Sequence, residues 1–176
     1  FNIFDHNTVK FTNYSSTGRR VQVSYPNIHG LLAVGDELFV GPFLHGMEIM
    51  DIRTSMVTKR FKLIGEKRDT VADFVICLYL TSDSTILVGT AYKGAGLFSY
   101  DRKSRSFARI KQIPYGTYVF AIREDRQGNI WTGSLSAGAH YYNPKTGRKG
   151  NIRFGDRLGK EFKNEFPVYG ILEDSN

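Results

Sequence analysis

The sequence has a single cysteine, Cys77, so it can form neither an internal disulfide nor a cysteine-rich metal cluster. Cys77 stands inside the apolar run Phe74-Val75-Ile76-Cys77-Leu78, which predicts a buried small hydrophobe rather than a reactive thiol. The lack of disulfides leaves the compartment open, because bacterial periplasmic domains often do without them. No stretch approaches the roughly 20 apolar residues that a membrane helix needs. A signal-peptide pattern and a start methionine are also missing, and a first residue of Phe1 leads us to expect further sequence upstream. Long alanine- and leucine-rich runs with helical periodicity do not occur. What is present instead is glycine (18), phenylalanine (13) and tyrosine (10) in 176 residues. That balance favours many short strands joined by tight turns.

Negative charge is in short supply too, and the net charge is +7. The cations are spread along the chain, with one looser concentration at Lys145, Arg148, Lys149, Arg153, Arg157, Lys160 and Lys163. They are not interleaved with a base-stacking motif, so the expectation is a basic, soluble surface and no nucleic-acid partner.

Internal repetition decides the fold class. Ile122-Arg123-Glu124-Asp125-Arg126-Gln127-Gly128-Asn129-Ile130-Trp131-Thr132-Gly133 reads as a strand end, a polar turn and a short strand closing on glycine. Residues 78–89 repeat the pattern at the same length, and residues 31–41 repeat it one residue shorter. The closing glycines, Gly41, Gly89 and Gly133, are 48 and 44 residues apart. Each is followed by a glycine loop, a strand ending in Asp51, Asp101 or Asn143, a turn, and another strand. Strand-like content at a period in the forties is that of a four-stranded propeller blade.

The predicted fold is all-β: a β-propeller fragment of four-stranded antiparallel blades, three complete and one partial at each end. Residues 1–27 carry the last strands of a preceding blade and a connection. Blades follow at 28–73, 74–117 and 118–168, the last with a long exit loop, and 169–176 begins another. In the third blade the strands are expected near 118–124, 129–134, 138–143 and 149–154. The first strand of each blade should be innermost and the most apolar. Because three blades and two partial ones leave open edges, the rest of the propeller is expected outside this sequence.

The phrase at 122–133, with Gly138 and the turn Tyr142-Asn143-Pro144-Lys145-Thr146-Gly147, resembles the two-component regulator propeller repeat. The second blade departs from it, with Leu87 at the Trp131 position and no glycine before its second strand; the first has Phe39 there. The resemblance implies the periplasmic sensor region of a hybrid two-component system, as found in polysaccharide-degrading gut bacteria. It further implies a carbohydrate ligand, and a membrane connection only through a parent protein carrying a histidine kinase and DNA-binding output. It leaves room for a homodimeric parent.

Other chemistry is weakly represented. Residues 89–96 lack the Gly-Lys-Ser/Thr ending of a phosphate loop, and 133–138 are not a nucleophile elbow, so both read as blade turns. His6, His29, His45 and His140 show no metal-binding spacing. Glu124-Asp125 and Glu173-Asp174 recur with the repeat and read as turn residues rather than catalytic acids. Trp131 reads as a core or inter-sheet residue. No cofactor and no catalytic residue is expected.

Propeller topology still points to one end for ligand binding. The loops between second and third strands and those between blades emerge together, carrying His45, Arg68, Tyr92, Lys93, Tyr115, Tyr118 and Ser136. Aromatic rings with cationic and hydroxyl groups suit a carbohydrate. A propeller-fold lyase or hydrolase and a protein-interaction scaffold are the alternatives.

Overall fold

The computed structural model describes residues 2–5, 10–13, 23–64, 71–72, 74–153 and 166–174. Its strands are β1 (Asn2–Asp5), β2 (Lys10–Asn13), β3 (Ile28–Val34), β4 (Glu37–Pro42), β5 (Met47–Asp51), β6 (Met56–Phe61), β7 (Leu63–Ile64) and β8 (Val71–Ala72). They continue with β9 (Phe74–Leu80), β10 (Ile86–Ala91), β11 (Leu97–Asp101), β12 (Ser106–Arg109), β13 (Val119–Glu124), β14 (Ile130–Ser134), β15 (Ala139–Tyr142) and β16 (Lys149–Ile152).

Three antiparallel meanders result, β3-β4-β5-β6, β9-β10-β11-β12 and β13-β14-β15-β16, with two-stranded pairs β1-β2 and β7-β8. The first strands β3, β9 and β13 lie side by side, as the strands nearest a propeller axis do. This is a three-blade section of a propeller. Its hairpins share one register: Phe4 faces Phe11, Met50 faces Val57, Tyr100 faces Phe107 and Tyr142 faces Lys149.

The third-to-fourth-strand turns show how short sequences set that register. Asp51 accepts from the Thr54 N–H at 2.8 Å, and Asp101 accepts from the N–H groups of Lys103 and Ser104. Asn143 accepts from Lys145 and Thr146, while Gly147 takes a φ of +74°. A short side-chain acceptor at the strand end satisfies the turn's donors.

The closing glycines are seats for the next blade. A Cβ on Gly41 would lie 2.7 Å from the Val75 carbonyl oxygen, and one on Gly133 would lie 2.4 Å from that of Val168. Residues 166–174 form no ladder, yet Val168 donates its N–H to Ser134 at 2.8 Å and takes the place that Val75 and Val119 hold in the earlier blades.

The cores lie between blades. Phe39, Met47 and Ile49 pack against Val75, Ile86, Val88, Phe98 and Tyr100; Leu87 and Leu97 pack against Ile113, Val119, Ile130 and Tyr142. Burial peaks in the second strand: every residue of β10 is buried, whereas β3 has one buried residue, Gly30, and otherwise alternates between half-buried and exposed positions. β10, in the middle blade, is covered by a blade on each face, while the first strands lie toward the axis.

Cys77 is less buried than its apolar run predicts. The residue as a whole is only half-buried, but its Sγ faces Gly89 and donates to the Val119 carbonyl at 3.4 Å. Desolvation pushes the thiol up to about 12, against a smaller opposing pull from the Gly89 N–H. Trp131 is half-buried on the Gly133 face of β14, its ring 4.8 Å from Tyr141 and its indole N–H donating to Asp125 at 2.7 Å. Its ring and N–H contacts both fall within its own blade, tying the indole to the turn before β14.

Glu124 and Glu173 act across blades rather than within their turns. Glu124 accepts from the Ser82 N–H at 2.6 Å and the Ser82 hydroxyl at 2.8 Å; Glu173 accepts from the Arg126 N–H at 3.0 Å. Each ties the start of one blade to the first turn of the blade before it. Asp125 does the local work, accepting from Gln127, Asn129 and Trp131.

Candidate functional site: an aromatic arc on one end

An antiparallel meander places the start of the first strand, the end of the second, the start of the third and the end of the fourth at one end. At that end a chain of rings crosses the blades. Tyr25 stacks on His45 with centroids 5.4 Å apart and planes 12° from parallel. Phe43 stands 6.3 Å from Tyr25 and meets the edge of Phe74 at 4.8 Å. His29 contacts both Phe43, at 5.8 Å, and Phe74, at 4.6 Å. Phe74 stacks on Tyr92 at 5.4 Å, and Tyr92 reaches Tyr118 at 5.7 Å.

Local structure explains the placement. Phe74 opens β9 and is buried, so it anchors the arc, and Gly46 bridges to it from the first blade. The first strands share an irregularity: their pairing slips by one residue at His29, at Ile76 and at Phe120. A bulge re-aims the extra side chain. Phe120 meets Tyr169, one residue beyond Val168, edge to face at 5.3 Å.

Two exposed residues at this end, Leu44 and Tyr92, hold φ values of +57° and +59°. They occupy matching loops of the first and second blades. For bulky L-residues the left-handed region costs about 1–2 kcal/mol, and such outliers cluster at functional sites. Tyr92 is 53% exposed despite that cost.

Of the residues expected from sequence, His45, Tyr92 and Tyr118 belong to the ring chain. Lys93 is exposed beside Tyr92. Tyr115 lies beneath the Arg109 guanidinium, 5.3 Å from centroid to carbon, and Gly116 donates to Ala95 at 3.0 Å, docking this loop against the Tyr92 loop. Ser136 is exposed in a tight loop closed by Ser134 and makes no ring contact with the arc. Arg68 lies outside the described residues. The structure adds Tyr25, His29, Phe43 and Phe74 to the expected residues. His29 and Phe74 stand at the starts of first strands, whose only sequence signal is that strand starts share this end with the loops, whereas Phe43 stands in the same loop as His45.

The His45 Nδ1 lies 2.7 Å from the Phe43 carbonyl, which can only accept, so Nδ1 carries a proton and Nε2 is left for an incoming group. Among the described residues, no three His, Cys, Asp or Glu side chains gather as a metal site. A cleft of about 790 Å³ lies at the other end, lined by Glu37, Asp83, Asp101, Arg102 and Arg105, with Arg102 paired to Glu37 at 2.8 Å. Its charges largely offset one another.

Comparison with known proteins agrees with the repeat. Residues 113–136 match the two-component regulator propeller family. That segment holds Tyr115, Tyr118, the whole of β13 and β14, and the Glu124-Asp125 turn. Among solved structures, the chain is similar to the extracellular domain of a candidate hybrid two-component system from B. thetaiotaomicron, with a TM-score of 0.69 and 21% identity over 88% of this chain and 19% of that one. The extracellular domain of a candidate one-component system from B. thetaiotaomicron gives 0.64 and 17%, over 88% of this chain and 22% of the other. The computationally designed protein Ika4 gives 0.60 and 10%, over 89% and 85%. The chain thus spans about a fifth of the length of the bacterial extracellular domains it matches. At these identities the likeness is one of fold. No curated protein matches the chain. Among the described residues, no helix is long and apolar enough to cross a membrane.

Proposed function

We propose that this chain is part of the periplasmic ligand-sensing propeller of a hybrid two-component sensor. It detects a polysaccharide-derived oligosaccharide, and a histidine kinase and DNA-binding output elsewhere in the parent protein act on the signal. The observation that carries the ligand reading is the ring chain from Tyr25 to Tyr118 across three blades, exposed at Tyr25 and Tyr92 and anchored on buried Phe74. Rings give apolar faces to the carbon faces of sugars, while the Tyr hydroxyls, Lys93 and the His45 Nε2 can address hydroxyl groups. The repeat match and the extracellular neighbours support the sensor setting.

The test is a thermal-shift panel of oligosaccharides on the full-length protein, with product analysis of each mixture. A ligand at about 100 times its Kd should stabilise by about 2.7 kcal/mol, with the sugar recovered intact. Turnover of the sugar would favour a propeller-fold lyase or hydrolase, and a panel that shifts nothing would remove the carbohydrate reading.

A further inference from the structure

The two ends of the blades differ in charge. Among the described side chains, the carboxylates gather at the end opposite the ring arc: Asp36, Glu37, Asp51, Asp83, Asp101, Glu124, Asp125, Glu173 and Asp174 all lie in or beside the first-to-second and third-to-fourth-strand turns. Many are already engaged, as in Arg53–Asp36, Arg102–Glu37 and Arg126–Glu173.

There the acids are nearly matched by cations such as Arg53, Arg102, Lys103, Arg105, Arg126 and Lys145. The ring-bearing end, by contrast, has cations without exposed carboxylates among the described side chains. Its described residues include Lys62, Lys93, Arg109, Lys111 and Arg153. Glu48, on β5, is the carboxylate that comes nearest. It is wholly buried, accepts from Arg60 Nε at 2.9 Å and is bonded by the Ser24 N–H and hydroxyl, so it presents no charge to a ligand. By sequence, the connecting segments 65–73 and 154–165 carry cations and carboxylates balanced to within one charge, so they do not cancel this excess. Lys93 follows the strained, exposed Tyr92, and Lys111 is exposed in the loop that docks against it through Gly116 and Ala95.

We infer that the aromatic arc takes an anionic oligosaccharide, one bearing carboxylate or sulfate groups, in preference to a neutral one. The inference rests on the carbohydrate reading above and adds the charge of the ligand to it. The rings hold the sugar faces, and Lys93 and Lys111 meet the anionic substituents across a surface with no competing carboxylate among the described residues. Such attraction between exposed groups weakens with salt.

The experiment is calorimetry on the full-length protein with oligogalacturonate, its fully methyl-esterified counterpart, a chondroitin sulfate tetrasaccharide, neutral oligosaccharides and a single-stranded oligonucleotide. The expected result is binding of a charged sugar that weakens as salt rises, with the methyl ester bound at least about tenfold more weakly. Oligogalacturonate offers carboxylate alone and chondroitin sulfate offers carboxylate and sulfate together, so binding of the first shows that carboxylate suffices. Lys93→Gln with Lys111→Gln should lower affinity about three- to tenfold and flatten the salt dependence, and Lys93→Arg with Lys111→Arg should restore both. Equal binding of acid and ester, or of neutral sugars alone, overturns the charge inference and leaves the sugar-sensing reading standing. Binding of the oligonucleotide alone, or of no probe at all, overturns both.

Discussion

Gly89 and Val119, thirty residues apart in sequence, touch so closely that a Cβ on the glycine would lie 2.8 Å from Val119 Cγ1 and 3.0 Å from its carbonyl oxygen. The same seat recurs at Gly41 with Val75 and at Gly133 with Val168. The blade repeat is visible in the sequence because this contact admits no side chain.

Alanine at these seats should therefore wedge blades apart. Gly89→Ala and Gly133→Ala are each expected to destabilise the full-length protein by roughly 1–3 kcal/mol in chemical denaturation. Gly170→Ala, where a Cβ meets nothing within 4 Å, should be neutral or slightly stabilising. Equal effects at the two kinds of site would contradict the seating role.

Glu124 provides a second link between the same blades. Removing its carboxylate by Glu124→Ala leaves the Ser82 N–H and hydroxyl without their partner. The site is partly exposed, so the expected loss is about 1–2 kcal/mol. A double-mutant cycle with Ser82→Ala should show coupling, measured by urea midpoints.

Much of this architecture was legible in the sequence and much of the site was not. Glycine period, Asp/Asn turn residues and strand alternation are local signals, each with a local cause. The partner of Glu124 is Ser82, 42 residues upstream, and nothing near Glu124 announces it. The arc has the same character. Tyr92 and His45 stand in loops and could be guessed, but Phe74 lies in an apolar run whose first residue looks like any core position, and His29 owes its placement to a bulge. Only the assembled blades bring those rings together.

Acid should weaken the turns. Asp51, Asp83 and Asp101 are held below the usual carboxylate range, chiefly by the Thr54 N–H, the Thr81 hydroxyl and the Ser104 N–H respectively. At Asp125, burial raises the value, but bonds from Asn129, Trp131 and Gln127 together outweigh it and the net shift is downward. Because the folded values lie below the unfolded value of about 3.9, this stabilisation is present above about pH 4 and is lost as pH falls through the folded values. Thermal midpoints should fall below about pH 4, and Asp125→Asn should make that fall shallower.

Leu44 offers a test of strain kept for function. It is exposed, at a φ of +57°, in the loop that matches that of Tyr92. Leu44→Gly relieves the left-handed conformation and should raise stability by about 0.5–1 kcal/mol in thermal unfolding. A loss of stability would show that its side chain supports the fold instead.

The most direct test of the ring arc is the location of a bound oligosaccharide on the full-length protein, mapped by hydrogen exchange with and without saturating sugar and paired with Tyr92→Ala. Protection is expected in the loops at 43–46, 91–96 and 113–118, and Tyr92→Ala should weaken binding about tenfold or more with little change in thermal midpoint. Protection confined to the opposite end, around Asp83 and Arg102, with unchanged affinity in Tyr92→Ala, would contradict the account.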